Sequence, residues 1–372
     1  MTTAPVGQAR KKQEAAVYVL CALSLLSFAL VRVFALRPLA IRKEMLSASS
    51  LMRKATETVR LCREAKDIPV NRQDDINLTG LIGLESSVLT TSLGNLEAKR
   101  TTTNPNFAGL IVSLLNEAGV KRGDTIAIGA SSSFPALIVA SLCAAKTMEL
   151  KTLLICSLGA SQWGANDPGF HWLDIYQCLL REGVVEVEPV ALSLGGDGDV
   201  GKDMSPEGRS LLREAAQKSG ARFLDEPGLA RNVEERLRLF GVDSGSARLK
   251  AFVNIGGGYA NMGTDSEILR VPPGLAVFRR LPAPERRGVI FEMAARRIPV
   301  VHLLYIKGIS ERNGLPWDPR PLPQPGEGEI YNLKAFARLP FFIIAGVYFA
   351  LLAFFSLLLS RYHNRLDALV GF

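Results

Sequence analysis

The sequence predicts an α/β domain of three layers built on a mostly parallel, Rossmann-like sheet and flanked at each end by one transmembrane helix. Three observations carry this expectation. Short apolar runs alternate with helical patterns over about 200 residues. Two of those runs lead into small-residue polar loops and then helices, the pattern of a βαβ crossover. An apolar stretch long enough to span a bilayer lies near each terminus.

The amino-terminal span, residues 15–36, is interrupted only by Arg32, which can reach back to the interface. Arg10, Lys11 and Lys12 would also suit a signal peptide. The apolar stretch outruns the core of such a peptide and no small-residue cleavage site follows before Arg37, so a retained anchor is expected. The second span, residues 340–360, carries no charge. Short tails, 1–14 and 361–372, lie beyond the spans. Residues 37–78 read as a basic membrane-proximal helix and connector, whose Arg and Lys residues would meet anionic headgroups. The α/β domain occupies 79–315. Residues 316–339 begin with five prolines in ten positions, a composition that excludes regular structure and suggests a semi-rigid spacer.

The net charge of +8 leaves sidedness finely balanced, because a long domain translocates largely regardless of charge. The short basic tails favour termini inside and the domain outside. Cys21, Cys143 and Cys156 fall in apolar company and read as free thiols, with no disulfide framework. The five cysteines and three histidines show no metal-ligand spacing.

Along the domain, a helix is expected from Pro105 to Ala118, capped by Asn104. The first clear strand is Asp124–Gly129, followed by a helix from Pro135 and a second strand at Thr152–Cys156. A helix at Trp172–Arg181 precedes a Val-rich strand at Val184–Val190 and a glycine-dense loop to Gly201. Ser205 caps a helix running to Lys218. Arg222 and Phe223 suggest a short strand, Leu229–Phe240 a helix, Arg248–Ile255 a strand ending in three glycines, Arg287–Arg297 a helix and Ile298–Tyr305 a last strand.

The loops after these strands should open on one edge of the sheet, where α/β proteins bind ligands. Ser131, Ser132 and Ser133 stand at a helix amino terminus, which suits an anion, although Ser133 alone would serve as a cap. No lysine follows in the phosphate-loop pattern. Ser161, Gln162, Trp163, Asn166 and Asp167 mix amides with an aromatic ring, fitting a carbohydrate or amide ligand or an ordered turn. Gly256, Gly257 and Gly258 allow close backbone approach but lack dinucleotide spacing. Lys99 and Arg100 form either an anion clamp or a salt-bridged turn. The loop at Gly195–Asp199 reads as a flexible turn rather than a cation site. His302, in an apolar strand, is a core residue or a partner for a serine nucleophile, and His171 is the alternative partner. No nucleophile elbow occurs, and the residues leave the triad and any cofactor unassigned.

Five stretches taken in order carry a more specific signal. They are Leu96-Glu-Ala-Lys-Arg-Thr-Thr-Thr-Asn-Pro-Asn-Phe-Ala108, Gly129-Ala-Ser-Ser-Ser-Phe-Pro-Ala136, Ser157-Leu-Gly-Ala-Ser-Gln-Trp-Gly-Ala-Asn-Asp-Pro168, Ser193-Leu-Gly-Gly-Asp197 and Val253-Asn-Ile-Gly-Gly-Gly258. With His302-Leu-Leu-Tyr-Ile-Lys-Gly308 and the two anchors, this chain resembles the bacterial poly-gamma-glutamate system protein family. The resemblance implies a role in making, exporting or anchoring that polymer at the cell envelope, beside other membrane subunits, and brings no established active site. The expected partners are poly-gamma-glutamate or its precursors, those subunits and the lipid bilayer, with no nucleic acid. Three readings stay open: a binding component, an enzyme of γ-amide chemistry with a serine nucleophile, and a structural envelope protein.

Overall fold

The computed structural model describes residues 4–38, 40–242, 249–332 and 334–370. They form two compact units, one from the chain ends and one from Ile41–Tyr331. In the first, Glu14–Ala35 and Arg338–Leu358 are helical, and both are long and apolar enough to cross a membrane. The two terminal helices touch, and Leu36–Pro38 pairs antiparallel with Lys334–Phe336.

The second unit is built on a seven-stranded sheet. Its strands are β1 (Thr125–Ser131), β2 (Lys151–Ser157), β3 (Pro189–Ser193), β4 (Phe223–Leu224), β5 (Leu249–Ile255), β6 (Gly274–Leu275) and β7 (Val300–Leu303). They lie in the order β4-β3-β2-β1-β5-β7-β6, parallel throughout except for the edge strand β6. Strand β1 leads to β2 on one side and borders β5 on the other. The order of the sheet therefore reverses between β1 and β5, and the loops that leave their carboxyl ends diverge.

Ten helices flank the sheet among the described residues: α1 (Arg42–Glu64), α2 (Leu96–Thr102), α3 (Asn106–Glu117), α4 (Pro135–Thr147), α5 (Trp172–Arg181), α6 (Pro206–Lys218), α7 (Leu229–Leu239), α8 (Tyr259–Met262), α9 (Val289–Ala295) and α10 (Ile306–Arg312). Alternate side chains of a strand face opposite sides. Ala127, Ile155, Phe252 and Val300 enter one core with Val233 and Leu237 of α7 and Phe291 of α9. Helices α1, α3 and α4 pack on one another in the other helical layer.

Helix α1, expected to precede the α/β domain, is part of it. Met45, Ala48, Met52, Ala55 and Val59 are fully buried, a stripe at helical spacing. Each buried Met or Val contributes about 1.5–3 kcal/mol, whereas an exposed basic residue gains about 1 kcal/mol near headgroups. The stripe therefore packs the helix into the domain, and Arg42, Lys43, Arg53 and Lys54 remain on its exposed face.

Several boundaries also move. Val184 and Val185 are buried but precede the strand, because Gly183 takes φ +62° and the Val184 amide returns to the Leu179 carbonyl, closing α5. Residues 96–102 form a helix rather than a turn, since Asn95 Oδ1 accepts from the Ala98 amide at 2.7 Å. Asn104 Oδ1 likewise accepts from the Asn106 amide at 3.0 Å, ahead of α3. Arg222 precedes β4, and Arg248 lies outside the described residues. Helix α9 and strand β7 are each shorter at both ends than expected.

The proline-rich stretch contains no regular structure between Pro316 and Pro325, but it is fastened to the domain. Arg100 holds Asp318 through two bonds of 2.6 and 2.8 Å. The Asp318 amide donates to Thr101 Oγ1 at 2.8 Å, and Asn77 Nδ2 to the Pro319 carbonyl at 3.0 Å. A disulfide joins Cys62 of α1 to Cys178 of α5. This corrects the expectation of no disulfide, while Cys21, Cys143 and Cys156 are free thiols as expected: residues 116 apart become neighbours only when α1 docks on the domain.

Candidate functional site

A cleft of about 750 Å³ opens at the carboxyl edge of the sheet, at the reversal of strand order. Every one of the five motif stretches places a residue on its wall. Lys99 comes from the first, Ser131, Ser133 and Phe134 from the second, Ser161 from the third, Asp197 from the fourth, and Gly257 and Gly258 from the fifth. Leu304, in the stretch from His302 to Gly308, lines it as well.

Lys99 is the central side chain. Helix α2 begins at the Asn95 cap, and the threonine hydroxyls at 101, 102 and 103 bond back to the carbonyls of Glu97, Lys99 and Arg100. Those hydroxyls serve the helix backbone, as threonines near a helix end commonly do, and are not available to a ligand. Lys99 is 2% exposed. Its Nζ donates to the Ser133 carbonyl and to Ser161 Oγ, the latter at 2.7 Å. It also stands 4.0 Å from the centre of the Phe134 ring. Burial lowers its pKa to about 7, because the charged ammonium loses hydration. Near neutral pH, much of the amine is therefore unprotonated.

The serine loop sorts into distinct roles. Ser132 is fully buried and donates to the Ser157 carbonyl at 2.7 Å. Ser131 Oγ donates to Ser133 Oγ at 3.0 Å. Ser133 Oγ also accepts from the Ser161 amide at 3.0 Å, which leaves its own proton without an acceptor among the described residues. The serine loop and the loop that carries Ser161 touch closely because position 164 has no side chain. A Cβ on Gly164 would stand 2.9 Å from Ser133 Cα and from Ala160 Cβ.

Other sequence candidates serve the fold. Arg100 is engaged by Asp318, so it forms no clamp with Lys99. Gln162 Oε1 accepts from the Gly94 amide at 3.0 Å. Asn166 bonds both backbone groups of Leu84 at 2.9 Å, and Asp167 pairs with Arg63 at 2.5 Å. Trp163 adopts φ +56°, and its indole N–H has no partner among the described residues. None of these five residues lines the cleft. Gly256, at φ +78°, turns the chain beside Ser131.

Neither histidine meets a serine. His302 is buried with Nδ1 3.0 Å from Asn254 Nδ2, and burial pushes its pKa down to about 4. His171 caps α5 through Nδ1. The sequence reading missed Ser92, Asn95 and Tyr259 on the cleft wall and Asp203 at its rim beside Asp197. Asp197 and Asp203 are exposed, so the cleft has a buried amine at its floor and carboxylates at its rim. Only the glycines at 195 and 196 signalled in sequence that the acidic loop turns toward this edge.

No protein-family model, curated protein or solved structure matches this chain.

Proposed function

We propose that this chain is a membrane-anchored component of poly-gamma-glutamate synthesis or export, and that its cleft receives the end of the polymer or a γ-glutamyl precursor. The supporting observation is convergence. Five stretches that resemble one family, spread over about 160 residues of sequence, each supply a wall of a single cleft. A structural role alone would not require them to meet there.

The charge pattern narrows the ligand. A run of polymer carries only carboxylates, which Asp197 and Asp203 at the rim would repel. A free chain end or precursor carries an α-ammonium beside a carboxylate. Rim carboxylates can take that ammonium.

The reversal of strand order supports a Rossmann-like sheet, an inference from topology alone. The two terminal helices would anchor the domain beside other membrane subunits in the lipid bilayer. The Cys62–Cys178 disulfide favours an oxidising compartment, hence the outer side of a bacterial inner membrane.

The test uses the full chain in lipid nanodiscs with two labelled oligomers of equal length and charge, γ-linked and α-linked glutamate. Tighter, salt-sensitive retention of the γ-linked oligomer is expected, weakened by Asp197→Asn with Asp203→Asn. Equal retention of both oligomers, or of neither at low salt, would overturn the reading.

A further inference from the structure

We infer that Ser161 and Lys99 are a nucleophile and general base for acyl transfer at a γ-amide carbonyl. This rests on the cleft being the ligand site proposed above. Among the cleft hydroxyls, that of Ser161 alone meets a basic nitrogen, at 2.7 Å. Ser131 is spent on Ser133, Ser132 on a carbonyl, and Ser133 faces two donors. Ser161 is 6% exposed and lines the cleft, so a bound carbonyl can reach it while bulk water is largely displaced.

The position of Lys99 suits the role of base. The Ser133 carbonyl fixes one N–H of the amine, so in the neutral form the lone pair can turn toward Ser161. No carboxylate pairs with Lys99 among the described residues. A lysine kept only as a structural cation would be expected to have such a partner. Serine and lysine in this relation are one of the convergent variants of the serine triad.

The step balances within the site. Ser161 Oγ attacks the amide carbon while its proton passes to Lys99 Nζ. The tetrahedral intermediate collapses as the C–N bond breaks, and Lys99 returns that proton to the departing amine. The acyl group is left as an ester on Ser161. Water then yields a carboxylate, or a second amine yields a new amide, with Lys99 again taking and releasing the proton. The unused proton of Ser133 is placed to donate to the developing oxyanion.

The experiment labels the full chain in nanodiscs with a fluorophosphonate, locates the adduct by mass spectrometry and follows its rate against pH. A Ser161 adduct is expected, with a rate that rises through about pH 7 and falls on the order of 10²–10⁴-fold in Lys99→Met. Absence of a Ser161 adduct overturns the pair. So does a rate that is flat across pH 7 in the unmodified chain, which needs no variant to fold, or a rate unchanged in a Lys99→Met protein with an intact melting transition. A γ-linked oligomer that binds without any adduct forming removes the chemistry and leaves the binding reading. An adduct that depends on Lys99 but is not slowed by that oligomer keeps the pair and removes polyglutamate as its substrate.

Discussion

Asp199, in a loop whose glycines suggest a flexible turn, meets Arg236 of α7 at 2.6 Å with each side chain 1% exposed. The carboxylate also accepts from Ser157 and Ser193, at the ends of β2 and β3, and from Asn232 on α7. One ion pair therefore ties two strand ends and a helix together directly behind the acidic rim of the cleft.

Removing one member of this pair should be far worse than removing both. Asp199→Ala leaves a buried guanidinium without its counter-charge, a situation that costs about 3–5 kcal/mol. Replacing Asp199 and Arg236 together by methionine should recover much of the loss. Denaturant unfolding of the two variants provides the comparison, and equal losses would mean that the charge pair does not dominate this site.

The contact between the loops depends on Gly164. Alanine there must push aside Ser133 Cα and Ala160 Cβ, each at 2.9 Å. Overpacking of this kind costs about 1–3 kcal/mol, and the displacement falls on the seam between Ser133 and Ser161. Gly164→Ala is expected to unfold more easily and to raise the Lys99 pKa, as water reaches the amine. Lysine-directed acylation across a pH series would register that rise.

These relationships show where sequence reasoning succeeds and where it stops. Strands β1, β2 and β5 were legible because buried parallel strands read as continuous apolar runs bounded by glycine and serine. Helix α1 was set outside the domain because the eight basic residues of 37–66 dominate the composition, although the stripe from Met45 to Val59 already has helical period. The pairing of Lys99 with Ser161 joins positions 62 apart, and no local pattern encodes that distance. The same holds for Cys62 with Cys178. For Asn166, Asp167 and Arg100, residue type suggested ligand chemistry, yet the partners that absorb them lie elsewhere in the fold.

The disulfide closes a loop of 116 residues between α1 and α5. Restricting the unfolded chain over such a loop, with the packing it secures, amounts to about 2–5 kcal/mol. Cys62→Ser with Cys178→Ser should lower the melting temperature and increase proteolysis between α1 and the domain. Alkylation of intact cells before lysis, followed by non-reducing electrophoresis, should find the pair oxidised. Thiols that react freely in living cells would place the domain on the reducing side of the membrane.

Two buried bases should shape stability against pH in separate windows. His302 titrates near 6.5 when unfolded and about 4 when folded, so between those values the unfolded chain holds a proton that the folded chain refuses. Its contribution is intact above pH 6.5 and is lost as the pH falls toward 4. For Lys99 the corresponding values are 10.5 and about 7. The cost of burying its amine is complete below pH 7 and is relieved as the pH rises toward 10.5. His302→Gln should flatten the acid window relative to the parent, and Lys99→Met the alkaline one. Unfolding free energies at half-unit pH intervals would test each window independently, because a variant that shifts the whole curve without changing its slope removes packing rather than a titrating group.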